Sequence, residues 1–398
     1  LFDYELTTMP GWAGSSWYFF RYMDPQNTKQ FASDKTLHYW KDVDFYLGGS
    51  EHATGHLLYF RFWTKVLYDL GLVPTDEPVR KLVNQGMIQG VSSLVPRLKG
   101  TDQFVSADIL ETHMRESNLS YDDVQWLYAD VSLVDNGMLN MQGFREWNPE
   151  YAEADFVTNS ANAVIVKQQV EKMSKRWFNV VNPDDVVAKY GADGFRMYEM
   201  FLGPIEMSKP WDTKGIDGVA RFLRKFWRLF YNDHNEWTVN DDEPTKDQLK
   251  ALHRVIKKVS DDLERLSFNT AVSAFMIAVN ELSQLNARSK KILEPLLVLM
   301  HPLAPFITEY LWLKSGHNHS ILTAKFPTAD ESLLVENAFE YPVSVNGKVR
   351  TKLVLPLELT QPDVEKEVLA LDVVQKWMEG KTAKKVVFVK GRMINVVV

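Results

Sequence analysis

The chain has 398 residues, 45% hydrophobic and 24% charged, with a net charge of −7 and no cysteine. That length allows about two to four domains with separate cores, and the absence of cysteine excludes disulfides and thiolate zinc sites. No run of about 18 apolar residues occurs and the start lacks the basic-then-apolar order of a signal peptide, so no membrane partner is expected.

The first residues, Leu1-Phe2-Asp3, include no initiator Met, and the sequence reads as a piece of a longer protein. Residues 9–23 pass from small to strongly aromatic. Gly11, Gly14 and Ser15 permit close approach, while Trp12, Trp17 and Tyr18 offer flat walls. The stretch fits an aromatic core helix or a pocket for a small apolar side chain. Val43, Phe45, Tyr46 and Leu47 predict a short buried strand, Gly48-Gly49-Ser50-Glu51-His52 a turn, and Ala53 to Leu70 a helix. Such turns lie where open parallel sheets bind ligands, and Glu51 offers an acceptor to ribose hydroxyls. His52 and His56 share a helix face, but the His-Glu-x-x-His order of a zinc protease and a third ligand are lacking, so a polar pocket is the better reading and no metal site is expected.

Lys81 to Ile88 predicts a second short strand ending at Gln85-Gly86, consistent with a doubly wound sheet. Residues 97–155 hold 12 acidic side chains and 4 basic ones. They predict short helices over Ser106–Met114 and Ser120–Tyr128, a turn at Asp135-Asn136-Gly137, and a surface insertion that repels nucleic acid. Lys172-Met173-Ser174-Lys175-Arg176 follows, ahead of a helix starting near Asp184. Two lysines in a loop before a helix are suited to closing over a polyphosphate, although a solvated basic loop fits the five residues equally well.

Beyond Tyr190-Gly191-Ala192-Asp193, a helix carries Arg221, Arg224, Lys225 and Arg228 on one face, with Phe222, Phe226, Leu229 and Phe230 turned away. A cationic stripe without interspersed glutamates suits an RNA backbone. Amphipathic segments at Gln248–Leu266, Asn269–Asn286, Lys291–Met300 and Pro305–Ser315 predict a helix bundle. From Tyr341 the pattern is a hairpin turning at Asn346-Gly347, a helix over Asp363–Met378, and a last strand over Met393–Val398. This small α+β domain has ten Lys or Arg and six Asp or Glu, opposite in sign to the whole chain, which points to nucleic acid.

Several of these segments resemble a known family. Lys172-Met173-Ser174-Lys175-Arg176 is similar to the Lys-Met-Ser-Lys-Ser motif of class I aminoacyl-tRNA synthetases. Together with Gly-Ser-Ser-Trp-Tyr-Phe, Gly-Gly-Ser-Glu-His-Ala, Asn-Gln-Gly-Met, Tyr-Gly-Ala-Asp and Val-Asn-Gly-Lys-Val-Arg, in that order, it resembles bacterial-type leucyl-tRNA synthetase along nearly the whole chain except residues 97–155. The resemblance implies ATP-dependent leucine activation, with Mg2+, and transfer to tRNA(Leu) by a cytoplasmic enzyme that is monomeric in full-length form. It implies that Lys172 and Lys175 act on the pyrophosphate side of ATP. Gly48, Gly49, Glu51, His56, Gln85, Met173 and Ser174 would contact ATP, and Trp12, Ser15, Tyr18 and His52 leucine. Arg221, Arg224, Lys225, Arg228, Lys348, Arg350, Lys384 and Lys385 are the tRNA candidates.

The implied fold class is α/β plus all-α plus small α+β. The second half of a Rossmann-like catalytic domain would occupy 1–96, the acidic insertion 97–156, and the nucleotide loop with a stem-contact segment 157–216. A helical-bundle anticodon-binding domain would occupy 217–325, and a C-terminal tRNA-binding domain 341–398. Arg176 stands where the motif has its second serine, Trp177 and Val180 where residues are more often small or basic, and Trp12 where Phe is common. No His-Ile-Gly-His occurs in the chain, and the family's editing domain and its zinc-bearing neighbour belong upstream of Leu1. The chain alone is therefore expected to be inactive. The rival readings are a class I synthetase for valine, isoleucine or methionine, and a tRNA-binding module without catalysis.

Overall fold

The computed structural model describes residues 11–49, 52–334 and 338–398. They fall into two compact units, one within Leu1–Asp242 and Lys258–Phe326, the other within Glu243–Lys257 and Pro327–Val398.

The first unit opens on α1 (Trp12–Met23), followed by α2 (Asp34–Trp40). Strand β1 (Tyr46–Gly49), helix α3 (His56–Asp69) and strand β2 (Leu82–Gln85) then form a parallel β-α-β unit, in register from Tyr46 against Leu82 to Gly49 against Gln85. Phe19 and Phe20 of α1 are buried with Phe60 of α3. The strand differs from the expected Val43–Leu47. Val43 makes only a lone bridge to Val79, and Gly48 and Gly49 are the end of β1 instead of a turn. Phe45, which precedes β1, and Leu47 within it are exposed, contrary to the buried strand expected.

A second, six-stranded sheet is built on β3 (Ile88–Leu98). Next in the chain are β4 (Gln103–Val105), α4 (Leu110–Glu116) and β5 (Val124–Ala129). The short β6 (Val134–Asp135) and β7 (Met138–Leu139) precede α5 (Met141–Trp147), β8 (Asp155–Val157) and β9 (Lys167–Lys172). Both β5 and β9 run antiparallel to β3. With Lys209–Pro210 parallel to β3 and β8 parallel to β4, this sheet is mixed, whereas β1 and β2 form a separate, purely parallel pair as expected. The helix expected over Ser120–Tyr128 is a single 3-10 turn followed by β5, whose Val-Gln-Trp-Leu-Tyr-Ala is rich in β-branched and aromatic residues. The boundary expected at residue 97 falls inside β3, so the acidic segment shares its sheet with the strands on either side of it.

Helix α6 (Pro183–Tyr190) is capped by Asn182, whose side chain accepts from Asp184 N–H at 3.2 Å. Gly191, with φ 80°, turns the chain into α7 (Ala192–Phe201). Strand β10 (Lys209–Pro210) joins β3, and α8 (Gly215–Trp227) starts the helical part. Helix α9 (Lys246–Glu264) is followed by α10 (Phe268–Gln284), α11 (Lys290–Met300) and α12 (Pro305–Lys314). These bounds lie close to the expected ones: 3.6-residue periodicity marks α9, α10 and α11, and Pro305 at the first helical position marks the start of α12.

In the second unit, β11 (Ala338–Val345) and β12 (Lys348–Pro356) form the expected hairpin, with φ of 47° at Asn346 and 79° at Gly347. Helices α13 (Gln361–Leu369) and α14 (Asp372–Met378) replace the single expected helix. Val364, Val368 and Val374 all enter one core, and an unbroken helix would carry Val374 well round from the other two. Strands β13 (Lys385–Val389) and β14 (Met393–Val397) complete a sheet of order β12-β11-β14-β13.

Candidate functional site

Two cavities of the first unit meet at Gly49, the last residue of β1. The larger, about 640 Å³, is lined by Trp12, Ser15 and Tyr18 of α1, by Tyr46, Gly48 and Gly49 of β1, and by His52 and His56. The smaller, about 400 Å³, runs from Gly49 and Gln85 to Lys172 and Met173, with Glu199 of α7 and Lys209 of β10 on its wall. Ser174 and Lys175 follow outside this lining, and Glu51 lies outside the described residues.

The geometry of β1 and β2 explains why the two cavities adjoin. Parallel strands in register end together, and open parallel sheets bind ligands in the crevice outside those carboxyl ends. Gly48 and Gly49 have no side chain to fill it. Gly55 brings α3 against Trp12: a Cβ there would overlap the Trp12 ring, so glycine admits the indole to the cavity wall.

Inside the larger cavity, Tyr18 donates its hydroxyl proton to Tyr46 Oη at 3.2 Å, and Tyr46 Oη lies 2.8 Å from His56 Nε2. Burial, with His52 nearby, holds His56 below the ordinary imidazole pKa and so favours the neutral ring, whose Nε2 is the acceptor in the tautomer protonated at Nδ1. Burial raises the Tyr46 phenol above its ordinary pKa and keeps it protonated. The relay Tyr18–Tyr46–His56 thus fixes an uncharged wall. Tyr46 was predicted as a core residue of a strand, and its polar role depends on Tyr18 and His56 reaching it from α1 and α3.

The smaller cavity combines cations with one partly buried acid. Lys172 ends β9 and Lys175 begins a single 3-10 turn; both side chains are exposed, and neither ammonium has a partner among the described residues. Burial pushes the Glu199 carboxyl up, opposed by Lys209, and pushes the Lys209 ammonium down, opposed by Glu199. Lys209 Nζ donates to Gly203 O at 2.9 Å. Sequence reasoning missed both residues. An acid within an apolar helical stretch (Met197-Tyr198-Glu199-Met200) was the only available sign.

The cationic candidates separate into distinct places. Arg221, Arg224, Lys225 and Arg228 are all exposed on one side of α8 and its cap, while Ile216, Val219, Phe222 and Phe226 are buried. Lys225 is held by Asn280 at 2.5 Å and Arg228 faces Asp233 at 3.7 Å, whereas Arg221 and Arg224 are unpaired among the described residues. In the second unit, Lys348 and Arg350 belong to β12, and Lys384 and Lys385 lie at the start of β13, at the opposite edge of the sheet. The four therefore do not form one strip. The Arg350 guanidinium also stacks 3.5 Å from the Trp377 ring centroid.

Comparison with known proteins gives this geometry its context. The family described as "Anticodon-binding domain of tRNA ligase" matches residues 246–367. That range begins at α9 and reaches α13, later than the expected 217–325, and leaves α8 with its cationic side outside. The leucine–tRNA ligase of Cytophaga hutchinsonii is 53% identical over 394 residues, 99% of this chain and 42% of the relative. That of Porphyromonas gingivalis is 53% identical over 397 residues, 100% of this chain and 42% of the relative. A LeuRS-tRNA-LeuAMS ternary complex from Agrobacterium radiobacter K84 superposes with a TM-score of 0.60 at 28% identity, covering 96% of this chain and 41% of that one.

By fold and sequence the chain is of the class I aminoacyl-tRNA synthetase type. Within that class it belongs with the leucine–tRNA ligases, as a stretch spanning about two fifths of the length of the curated relatives it matches.

Proposed function

We propose that the protein carrying this chain activates leucine with ATP and transfers it to tRNA(Leu). The observation that carries this reading is the junction at Gly49 between an aromatic cavity suited to an amino-acid side chain and a cavity edged by Lys172. In the first step the leucine carboxylate attacks the α-phosphorus and pyrophosphate departs. Lys172 and Lys175 supply mobile positive charge where the leaving group accumulates negative charge. In the second step a ribose hydroxyl of the terminal adenosine attacks the activated carbonyl and AMP departs.

In this reading Trp12, Ser15, Tyr18 and His52 surround the leucine side chain, and the neutral Tyr18–Tyr46–His56 relay disfavours a charged one. Gly48, Gly49, His56, Gln85, Met173 and Ser174 contribute to the nucleotide surface, and Glu51, outside the described residues, is the further candidate. Mg2+ enters with the triphosphate as substrate in this reading. The tRNA contacts the exposed side of α8 and the cations of the second unit. Strands β1 and β2 are part of a Rossmann-like sheet, and the enzyme is a cytoplasmic monomer. Among the described residues no helix is long and apolar enough to cross a membrane.

Amino-acid-dependent ATP–pyrophosphate exchange tests the proposal. The complete protein should respond to leucine in preference to valine, isoleucine and methionine, and Lys172→Ala should abolish most of the response. The 398-residue chain by itself should give no leucine-dependent exchange. Exchange driven by another of these amino acids overturns the leucine assignment, and none by the complete protein overturns catalysis.

A further inference from the structure

Just beyond the lysine loop, Asn179 is 1% exposed and fully engaged. Its Oδ1 accepts the Ser174 N–H at 2.8 Å, and its Nδ2 donates to Lys172 O at 3.3 Å and to Ser92 Oγ at 2.9 Å. The first two bonds join the backbone on either side of Met173, closing the loop into a ring. The third ties that ring to Ser92, buried in β3. Strand β9 is already paired with β3 up to Gln89 against Lys172, so the side chain of Asn179 takes over where the ladder ends.

Gly90 of β3 makes this seat possible. A Cβ at residue 90 would lie 2.5 Å from Asn179 O and 2.8 Å from its Cγ and Nδ2. The loop is held from its other side as well: Phe178 O accepts Val131 N–H at 2.8 Å, and the Phe178 ring packs edge-on to Trp147 at 4.8 Å. The backbone is therefore anchored, while the side chains of Lys172 and Lys175 remain in solvent.

We infer that Asn179 is a positioning residue for the reaction: it sets the height and direction from which Lys172 reaches the polyphosphate. The inference rests on the proposed ATP role of the lysine loop. Asn179 itself touches no substrate. Its amide is needed because the two bracketing groups are of opposite type, one N–H and one C=O, and only a side chain with both an acceptor and a donor satisfies them together. Misplacement of a charge by about 1 Å costs on the order of a hundredfold in rate.

The test uses the complete protein in leucine-dependent ATP–pyrophosphate exchange, with KM for ATP, KM for leucine and kcat measured separately, and a melting curve for each variant. Asn179→Ala should lower kcat/KM for ATP by roughly 10- to 100-fold and leave KM for leucine unchanged. Asn179→Asp retains the acceptor for Ser174 N–H but loses both donations, and should fall between. Gly90→Ala should reproduce the ATP defect by displacing Asn179. Wild-type ATP kinetics in Asn179→Ala overturn the inference, as does an equal rise in both KM values. If Asn179→Ala does not fold, Asn179→Asp decides, and a failure of that variant to fold makes the residue merely structural and overturns the inference too. Lys172→Ala separates the two levels. If it retains full exchange, the role of the loop itself fails; if it is inactive while Asn179→Ala is normal, only the present inference fails.

Discussion

Asp193→Ala removes a cap that one helix supplies to another. Asp193 lies in the first turn of α7, 9% exposed, and its Oδ1 and Oδ2 accept the N–H groups of Phe306 and Ile307 at 3.1 and 2.7 Å. Those donors are at the start of α12, where Ala304 has no side-chain acceptor and Pro305 has no N–H to give. A hydrogen bond to a charged group contributes about 1.5–3 kcal/mol, and loss of an N-cap costs about 0.5–2 kcal/mol. The two bonds share one carboxylate and are not additive, so Asp193→Ala should destabilise the α7–α12 contact by about 2–4 kcal/mol. Asn retains one acceptor and should cost about half as much. Because the chain holds two units, the clean readout is amide hydrogen exchange at Phe306 and Ile307, alongside thermal unfolding of the 398-residue chain. Protection factors at these two amides within threefold of the parent would refute the reasoning. Arg196, whose Nη2 donates to Pro302 O at 3.1 Å, should then be tested as the main tie.

Three further outcomes are expected. Gly55→Ala places a methyl group in the Trp12 ring, so in the complete protein it should raise KM for leucine at least tenfold with little change in KM for ATP. The Glu77 carboxyl is held at about 2 by hydrogen bonds from Arg61 and then Lys65, so its contribution is present above the ordinary value of 4.5 and lost as pH falls through that range to about 2. Since these groups are largely exposed, Glu77→Gln should cost less than about 1 kcal/mol at pH 7, with the cost shrinking as pH falls toward about 2, read from urea midpoints. Reversing the unpaired Arg221 and Arg224 to Glu should weaken tRNA binding and reduce the slope of log K against log salt by about 1 per lost phosphate contact. An unchanged slope in filter-binding titrations counts against that face of α8.

Helices α10 and α11 were legible because each keeps a long apolar stripe, which a helix buries whatever it packs against. The hairpin at Asn346-Gly347 was legible for a local reason, since both residues accept positive φ. Short apolar runs carry no such signal. The sequence predicts a helix over Ser120–Tyr128, and only the pairing of Val124–Ala129 with β3, at Ser93 against Ala129, makes that part a strand. The acidic segment likewise looked detached by composition, yet it supplies Val131 and Trp147 to the back of the lysine loop.

Lys172-Met173-Ser174-Lys175, with Gly48-Gly49 and the Trp12–Tyr18 stretch, placed the chain among leucine–tRNA ligases before any contact was known. Charge, ring and glycine are properties of residues, so the sequence by itself determined which chemistries were on offer. Tertiary structure decided how those residues meet: that two cavities join at Gly49, that Tyr46 becomes a relay between Tyr18 and His56, and that Asn179 holds the loop against β3. The hydrogen-bond partners concerned lie up to 87 positions apart, as Asn179 and Ser92 do. No local propensity encodes contacts at that separation, because they form only when the strands and helices have packed.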